Sequence, residues 1–517
     1  MNTRSRDSSE SSPTKSRSHP ARQATARIVE LLRRVPSAGR WCFALAFLNI
    51  LIWTFVIPPF QVPDEISHFG YAQYLAETGR PPPQGPVGQY SPQEQNVLDA
   101  LSFVAVVGHP AQRGIMNGVE EAGLREELAA EASPVGEGGS SSASDEPPLY
   151  YALEAVPYLL SPSRDILVRL ELMRVLSALL AALTVLCIYM FLRELMPGTP
   201  WAWTVGALVV AFQPMFCFIG AGVQGDNLLF LASAATFLGL ARAFRRGLTT
   251  RRAALIGGAT VVGVLAKLTF IALLPGIALA LVLLAWRAWP SGRRQALRSI
   301  AIAGAIVVIP ALAYAILNTS VWHRGGVTAG GVTGATTSTG ATGQIINLRE
   351  TLDYIWQLYL PRLPFMYREF SYYPLFTTWL DGTVGAFGWV DYAFPQWVYS
   401  VAHWLFLGLG VMALVGIVRM RAAIRPWLGM VACFAVMGAG LLAAIGDAGI
   451  HYRATTGNVF EQARYLFPLL GFYALFVVLA TRGVGRRWAP ALGAALVVLA
   501  MAHGLFAETL TISRYYG

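Results

Sequence analysis

Five side chains stand where a mostly apolar chain can least easily keep them. Asp64, Glu65 and His68 follow the apolar run Trp41–Ile57, Lys267 lies inside Val264–Phe270, and Arg464 precedes another apolar run. A carboxylate can take a proton from a hydroxyl, and cations can hold a leaving phosphate, so this set suits group transfer from a lipid phosphate. A phosphate leaves without being protonated, so one base suffices.

Around the first carboxylate, Pro63 at the first helical position predicts a helix through Tyr74. Asp64, His68 and Tyr71 then share a face at i, i+4 and i+7, with Glu65 turned about 100° away. One carboxylate can face a cavity while its neighbour pairs with the scaffold; the plainer reading is that acidic residues favour the positive end of a helix dipole. Lys267, flanked by Val264-Leu265-Ala266 and Leu268-Thr269-Phe270, is costly in lipid unless it meets a polar cavity or an anion. Snorkelling to headgroups is the alternative. Asp226, in Gly225-Asp226-Asn227, is accounted for by an N-cap at a helix start. Arg453 and Arg464 offer bidentate donors for a phosphate or pyrophosphate, and Trp322-His323-Arg324 adds a polar tip at a helix end. Against that stand a salt bridge to Glu461 or Asp447 and an interfacial aromatic belt.

The elements that must position these groups are membrane helices. Of 517 residues, 55% are apolar and 13% charged, with a mean hydropathy of +0.49, which overrules a soluble multidomain reading. The net charge of +10 resides in arginines at the ends of apolar runs rather than on one soluble face, so it reads as topology and not as nucleic-acid binding. Eleven runs approach the roughly 20 residues of one crossing: 41–57, 168–192, 201–220, 228–243, 254–269, 270–286, 299–318, 399–418, 427–445, 465–481 and 489–507. Alternation from a cytoplasmic amino terminus places 25 of the 39 basic residues on one side, mostly in short loops. Residues 254–286 lie between two arginine-rich loops and must form a hairpin turning near Lys267. The other side receives segments 58–167, 319–398 and 446–464, and the candidate chemistry falls on that side. Segment 58–167 contains an amphipathic helix at 93–107 and a charged helix at 119–132. The basic tail to about Arg27 reads as disordered, and the Gly/Thr-rich run 325–343 as a mobile loop. Cys42, Cys187, Cys217 and Cys433 lie in apolar runs without metal-ligand spacing, which argues against disulfides and a zinc site.

With these residues in place, the chain resembles the GT-C superfamily of membrane glycosyltransferases. Pro63-Asp64-Glu65-Ile66-Ser67-His68-Phe69 is similar to the acidic first-loop motif of protein O-mannosyltransferases and aminoarabinose transferases. Pro147-Pro148-Leu149-Tyr150-Tyr151 and Leu265-Ala266-Lys267-Leu268-Thr269 resemble their loop-closing segment and lysine-bearing turn. Phe387-Gly388-Trp389-Val390-Asp391, Pro395 and Gln462-Ala463-Arg464-Tyr465-Leu466-Phe467-Pro468 are closer to an uncharacterised bacterial membrane-protein family placed in that superfamily. The resemblance implies an all-α polytopic membrane protein, a GT-C-type bundle of about eleven transmembrane helices with a large first extracytoplasmic loop. Its parts would be a cytoplasmic tail 1–40, a catalytic module 41–318 containing loop 58–167, a second loop 319–398 and helices 399–517. It implies an inverting transfer of sugar from a polyprenyl-phosphate donor to an acceptor hydroxyl outside the bacterial cytoplasmic membrane. Asp64 would be the base, Glu65 a supporting carboxylate, and Lys267 a donor-phosphate contact. His68, Tyr71, His323, Arg324, Arg453 and Arg464 would bind substrate, Arg464 by its charge and placement. A divalent Mg or Mn ion at Asp64 and Glu65 is compatible with this, but no third ligand is evident. The partners would be the lipid-linked donor, a glycan, lipid or protein acceptor, and membrane lipids, with no nucleic acid. A transporter or flippase of lipid-linked glycans is the main alternative, although it calls for ionisable groups near the midplane and both mouths. A non-catalytic scaffold is a third reading.

Overall fold

The computed structural model describes residues 35–84, 88–139, 142–325 and 348–517. The basic tail to Arg27 and the Gly/Thr-rich run beyond Gly325 lie outside the described residues. Helix α1 (Ser37–Val56) buries Cys42, Ala46, Ile50 and Trp53, a stripe at helical spacing, and leaves Trp41, Leu48 and Phe55 outward. It stops because Pro58 and Pro59 cannot continue its hydrogen bonding. Its buried face meets α6 (Ile166–Leu195), the central helix, which also packs against helices α5 (Leu149–Leu160), α7 (Pro200–Ala211) and α9 (Asp226–Arg246).

The run expected at 201–220 is two helices, α7 and α8 (Pro214–Gly220), bent by 63°. Pro214 lacks an N–H, and Gln213 caps the new start by accepting from Phe216 N. The lysine hairpin forms as expected: α10 (Thr250–Ala266) ends at Lys267, whose backbone is extended, and a 3-10 turn Leu268–Leu273 leads into α11 (Leu274–Ile316). The return is tight. A Cβ on Gly263 would lie 2.2 Å from the Phe270 ring, so only glycine lets the two arms close. Helix α11 contains two expected runs, broken at Gly292. Helices α12 (Leu348–Tyr359), α13 (Gln396–Ile424), α14 (Leu428–Thr456), α15 (Leu470–Gly483) and α16 (Ala489–Tyr516) complete the bundle.

The chain is an all-α polytopic membrane protein, apart from a two-residue hairpin pairing Ala386 with Ala393 and Phe387 with Tyr392. Among the described residues eight helices are long and apolar enough to cross a membrane, nine with the bent pair. One of them, Gln396–Ala454, holds both α13 and α14; α10, at 17 residues, falls outside that count. With these, each apolar run of the sequence has its helix. At the arginine-rich end, Glu194 of α6 ties Arg242 at 3.1 Å and Arg246 at 2.8 Å.

At the opposite end, segment 58–167 is a packed cap. It contains α2 (Glu65–Thr78), α3 (Pro92–Ala100), α4 (Gly118–Ala129) and α5. The expected helix at 93–107 is interrupted at Ser102, where φ is +51°. The charged helix forms as α4 behind an Asn117–Glu120 capping box. Phe60, Phe69, Tyr71, Tyr150, Tyr151 and Tyr158 are buried together beneath α2 and α5. Aromatic pairs of this kind add about 0.5–1.5 kcal/mol each beyond the area they bury.

Candidate active site

A cavity of about 340 Å³ opens where this cap meets the bundle. Asp64, His68, Glu146, Asp226, Lys267 and Arg464 line it, with Trp389, Tyr452 and Phe460 among the apolar part of the wall. These charged groups arrive from four regions of the chain: the start of α2, the segment before α5, the α9–α10 region, and the turn before α15.

Asp64 precedes α2 instead of lying within it. Its φ is +63°, a left-handed conformation costly to most side chains but tolerated by Asp, and α2 begins at Glu65. The expectation that Pro63 opens the helix is therefore corrected: Glu65 N bonds Val62 O in a turn, and Gln224 of the α8–α9 link donates to Pro63 O. The carboxylate Oδ2 of Asp64 lies 2.5 Å from Arg464 Nη2, and its side chain keeps 32% exposure against 5% for the arginine. Burial pushes the Asp64 carboxyl up, but Arg464, His68 and Lys267 together outweigh it and hold the group below the ordinary range.

A second pair lines the same cavity. Lys267 Nζ is 2.7 Å from Asp226 Oδ1. Asp226 is thus not the N-cap anticipated from sequence; Gly225 occupies that position, and the aspartate turns to the lysine. Lysine carries three N–H donors and spends one here, with 16% of its side chain exposed. Glu146 accepts a bond of 3.0 Å from Leu268 N, fixing the lysine turn to the cap. Burial raises the Glu146 carboxyl to about 7 against the opposing pull of Lys267. His68 Nδ1 is 2.9 Å from the Tyr151 hydroxyl, and burial followed by the Lys267 charge pushes its pKa down to about 4, so the ring is neutral at pH 7.

Other expected site residues lie elsewhere. Glu65 faces away from the cavity: its oxygens meet Arg174 at 2.8 and 2.7 Å and accept from Val223 N at 3.0 Å. Tyr71 is buried beneath the cavity, its ring 3.6 Å from Tyr151 and its hydroxyl donating to Glu146 O. It cannot extend the Asp64 face, because Asp64 is not in the helix. Arg324 is buried on Asn318 Oδ1 at 3.0 Å and on Ser144 O, and its neighbour His323 is exposed. Arg453 forms its ion pair with Glu369, replacing the anticipated Glu461 or Asp447, and stacks over Tyr354. Glu65, Tyr71, His323, Arg324 and Arg453 thus do not line this cavity, and tertiary partners invisible to helix spacing hold all of these side chains but the exposed His323. A shared metal at Asp64 and Glu65 does not fit either, since the two carboxylates diverge, and among the described residues no three His, Cys, Asp or Glu side chains gather to hold an ion.

Two residues of the site region have no counterpart among the sequence expectations. Glu146 directly precedes the Pro147-Pro148 motif, and nothing in local spacing separates it from its neighbour Asp145. Arg174 sits in the apolar run 168–192, whose start also carries Arg169 and Glu171, and an arginine so placed signals a buried anionic partner. The motif residue Asp391 holds the fold together: it accepts from Trp389 N at 3.0 Å and pairs with Arg514 of α16 at 2.9 Å.

Residues 47–473 match the family described as Predicted membrane protein (DUF2142), and the chain belongs to that family. Among solved structures, the oligosaccharyltransferase of Archaeoglobus fulgidus in its apo form is similar at a TM-score of 0.45 and 11% identity, over 92% of this chain and 56% of that one. The same enzyme tethered through a disulfide bond to an acceptor peptide containing the NVT sequon gives a TM-score of 0.44 and 11% identity, over 92% and 55%. The chain therefore spans a little over half the length of these proteins. No curated protein matches the sequence significantly.

Proposed function

We propose that this protein is an inverting glycosyltransferase that moves a sugar from a polyprenyl-phosphate donor to an acceptor hydroxyl at the end of the bundle opposite the arginine-rich loops, the extracytoplasmic side. One observation carries the reading: a carboxylate, a lysine and an arginine separated by some 200 residues each converge on a single cavity, as two short ion pairs on its wall.

In this mechanism the acceptor oxygen attacks the anomeric carbon from the face opposite the phosphate. Its proton passes to Asp64. The bond between the anomeric carbon and the phosphate oxygen breaks, and its electrons leave on the polyprenyl phosphate. Lys267, with donors to spare, meets the charge that develops there. Arg464 keeps Asp64 ionised and oriented. His68, neutral and held by Tyr151, offers a polar wall without competing for the proton.

The test uses the full chain in nanodiscs supplied with decaprenyl-phosphate sugars. Asp64→Asn should lower transfer on the order of 10²- to 10⁴-fold while leaving the melting temperature intact; undiminished turnover ends this mechanism. Movement of the lipid-linked sugar across a sealed vesicle without any transfer product would instead establish a flippase.

A further inference from the structure

A second cavity of about 290 Å³ adjoins the first, and Gln462 and Arg464 line both. On the far side of that arginine its polar wall is Tyr372, Thr377, Thr378 and Glu461. Thr377 and Tyr372 are exposed, so the space opens outward.

The hydrogen bonding here is incomplete. Glu461 Oε1 accepts from the Tyr354 hydroxyl, while its Oε2 is buried without a partner among the described residues. Arg464 spends Nη2 on Asp64, yet its Nε and Nη1 are also buried without partners among them. A buried polar group left unmade costs about 1–3 kcal/mol. These atoms belong to two residues that line the same small space, one an acceptor and the other a donor, and together they call for a ligand that both donates and accepts. An anion would satisfy the arginine and repel Glu461; a cation would do the reverse. A neutral polyol satisfies both, and the three hydroxyls and the Gln462 amide extend the same kind of recognition. Gly382, Ala386 and Met215 leave the remaining wall small and apolar, suited to the C–H face of a sugar ring.

We propose that this second cavity binds a saccharide as the acceptor, with Glu461 and Arg464 holding its hydroxyls. The proposal rests on the glycosyltransferase reading and names the acceptor class that reading leaves open. It also divides the cations: Lys267 faces the donor phosphate, whereas Arg464 stands between base and acceptor. A hydroxyl held at the Arg464 edge is delivered beside Asp64, whose Oδ2 is 2.5 Å from Nη2.

Saturation-transfer NMR on the full chain in nanodiscs, with a panel of methyl hexosides and pentosides, tests it. At least one glycoside should bind the natural protein and Asp64→Asn equally. Binding should weaken about tenfold in Glu461→Ala, the loss of one hydrogen bond to a charged group. It should weaken as much in Thr377→Trp, which fills the mouth from an exposed position and so spares the fold. Decaprenyl phosphate should bind both variants as it binds the natural protein, and weaken only in Lys267→Gln. The proposal is overturned if no glycoside binds, if binding survives both variants, or if both weaken decaprenyl phosphate equally. If glycosides behave as stated but decaprenyl phosphate does not bind the natural protein, the saccharide subsite stands and the donor assignment falls.

Discussion

Asp64 and Glu65 are adjacent in the chain and each meets an arginine, Arg464 at 2.5 Å and Arg174 at 2.7 Å, but the surroundings of the two pairs differ. Glu65 and Arg174 are fully sealed, and the guanidinium also donates to the carbonyls of Thr54, Ile57 and Pro58. That pair pins the end of α1 to α2 and α6. The Asp64 pair lies at a cavity, on a left-handed backbone, with two arginine nitrogens left over among the described residues. A buried ion pair with every donor used is architecture. One with donors to spare, opening on a cavity, is poised to exchange partners.

The largest effect should come from the sealed pair. Arg174→Met leaves Glu65 as an uncompensated buried charge and should cost about 3–5 kcal/mol, seen as a collapse of folded yield and melting temperature in detergent. Glu65→Leu combined with Arg174→Met should recover most of that; a single variant that melts like the natural protein would erase the distinction between the two pairs. Asp64→Asn should behave in the opposite way, with transfer reduced on the order of 10²- to 10⁴-fold and stability kept, because Asn tolerates the left-handed backbone.

Arg464→Gln gives a smaller and more specific result. Arginine holds Asp64 below its ordinary range, so the carboxylate stays ionised to lower pH, and with Asp64 as the proposed base the loss of Arg464 should move the acid limb of the pH–rate profile upward. A limb that stays in place would mean that Asp64 is not the titrating base. The smallest effect concerns Glu146. Its carboxyl is raised by burial to about 7, so the folded protein binds more protons than the unfolded chain between the ordinary value and 7. Stability should therefore fall as pH rises through that window, by at most about 1.4 kcal/mol per pH unit, and Glu146→Gln should flatten the decline in melting temperature.

The bundle was legible because apolar length and arginine placement are one-dimensional signals, and both follow from the cost of lipid burial. The hairpin at Lys267 was legible for the same reason: two basic loops left no other way to place residues 254–286. Partner identity was not. That Asp226 would find Lys267, or that Arg453 would find Glu369, depends on contacts spanning tens of residues that no periodicity encodes. The face assigned to Asp64, His68 and Tyr71 failed on one dihedral, since a left-handed residue before the helix removes Asp64 from the helical repeat. Arg174 could have been found by asking what the charges near the start of run 168–192 must neutralise.

The far end of α16 bears on how the protein is made. Arg514 donates to the carbonyls of Val106, His109 and Gln112 in the cap and to Asp391, while Gly114 N bonds Tyr515 O. The Arg514–Val106 contact spans 408 positions of sequence. A ribosome delivers the cap long before it delivers α16, so through most of synthesis the cap lacks the guanidinium that gathers its carbonyls.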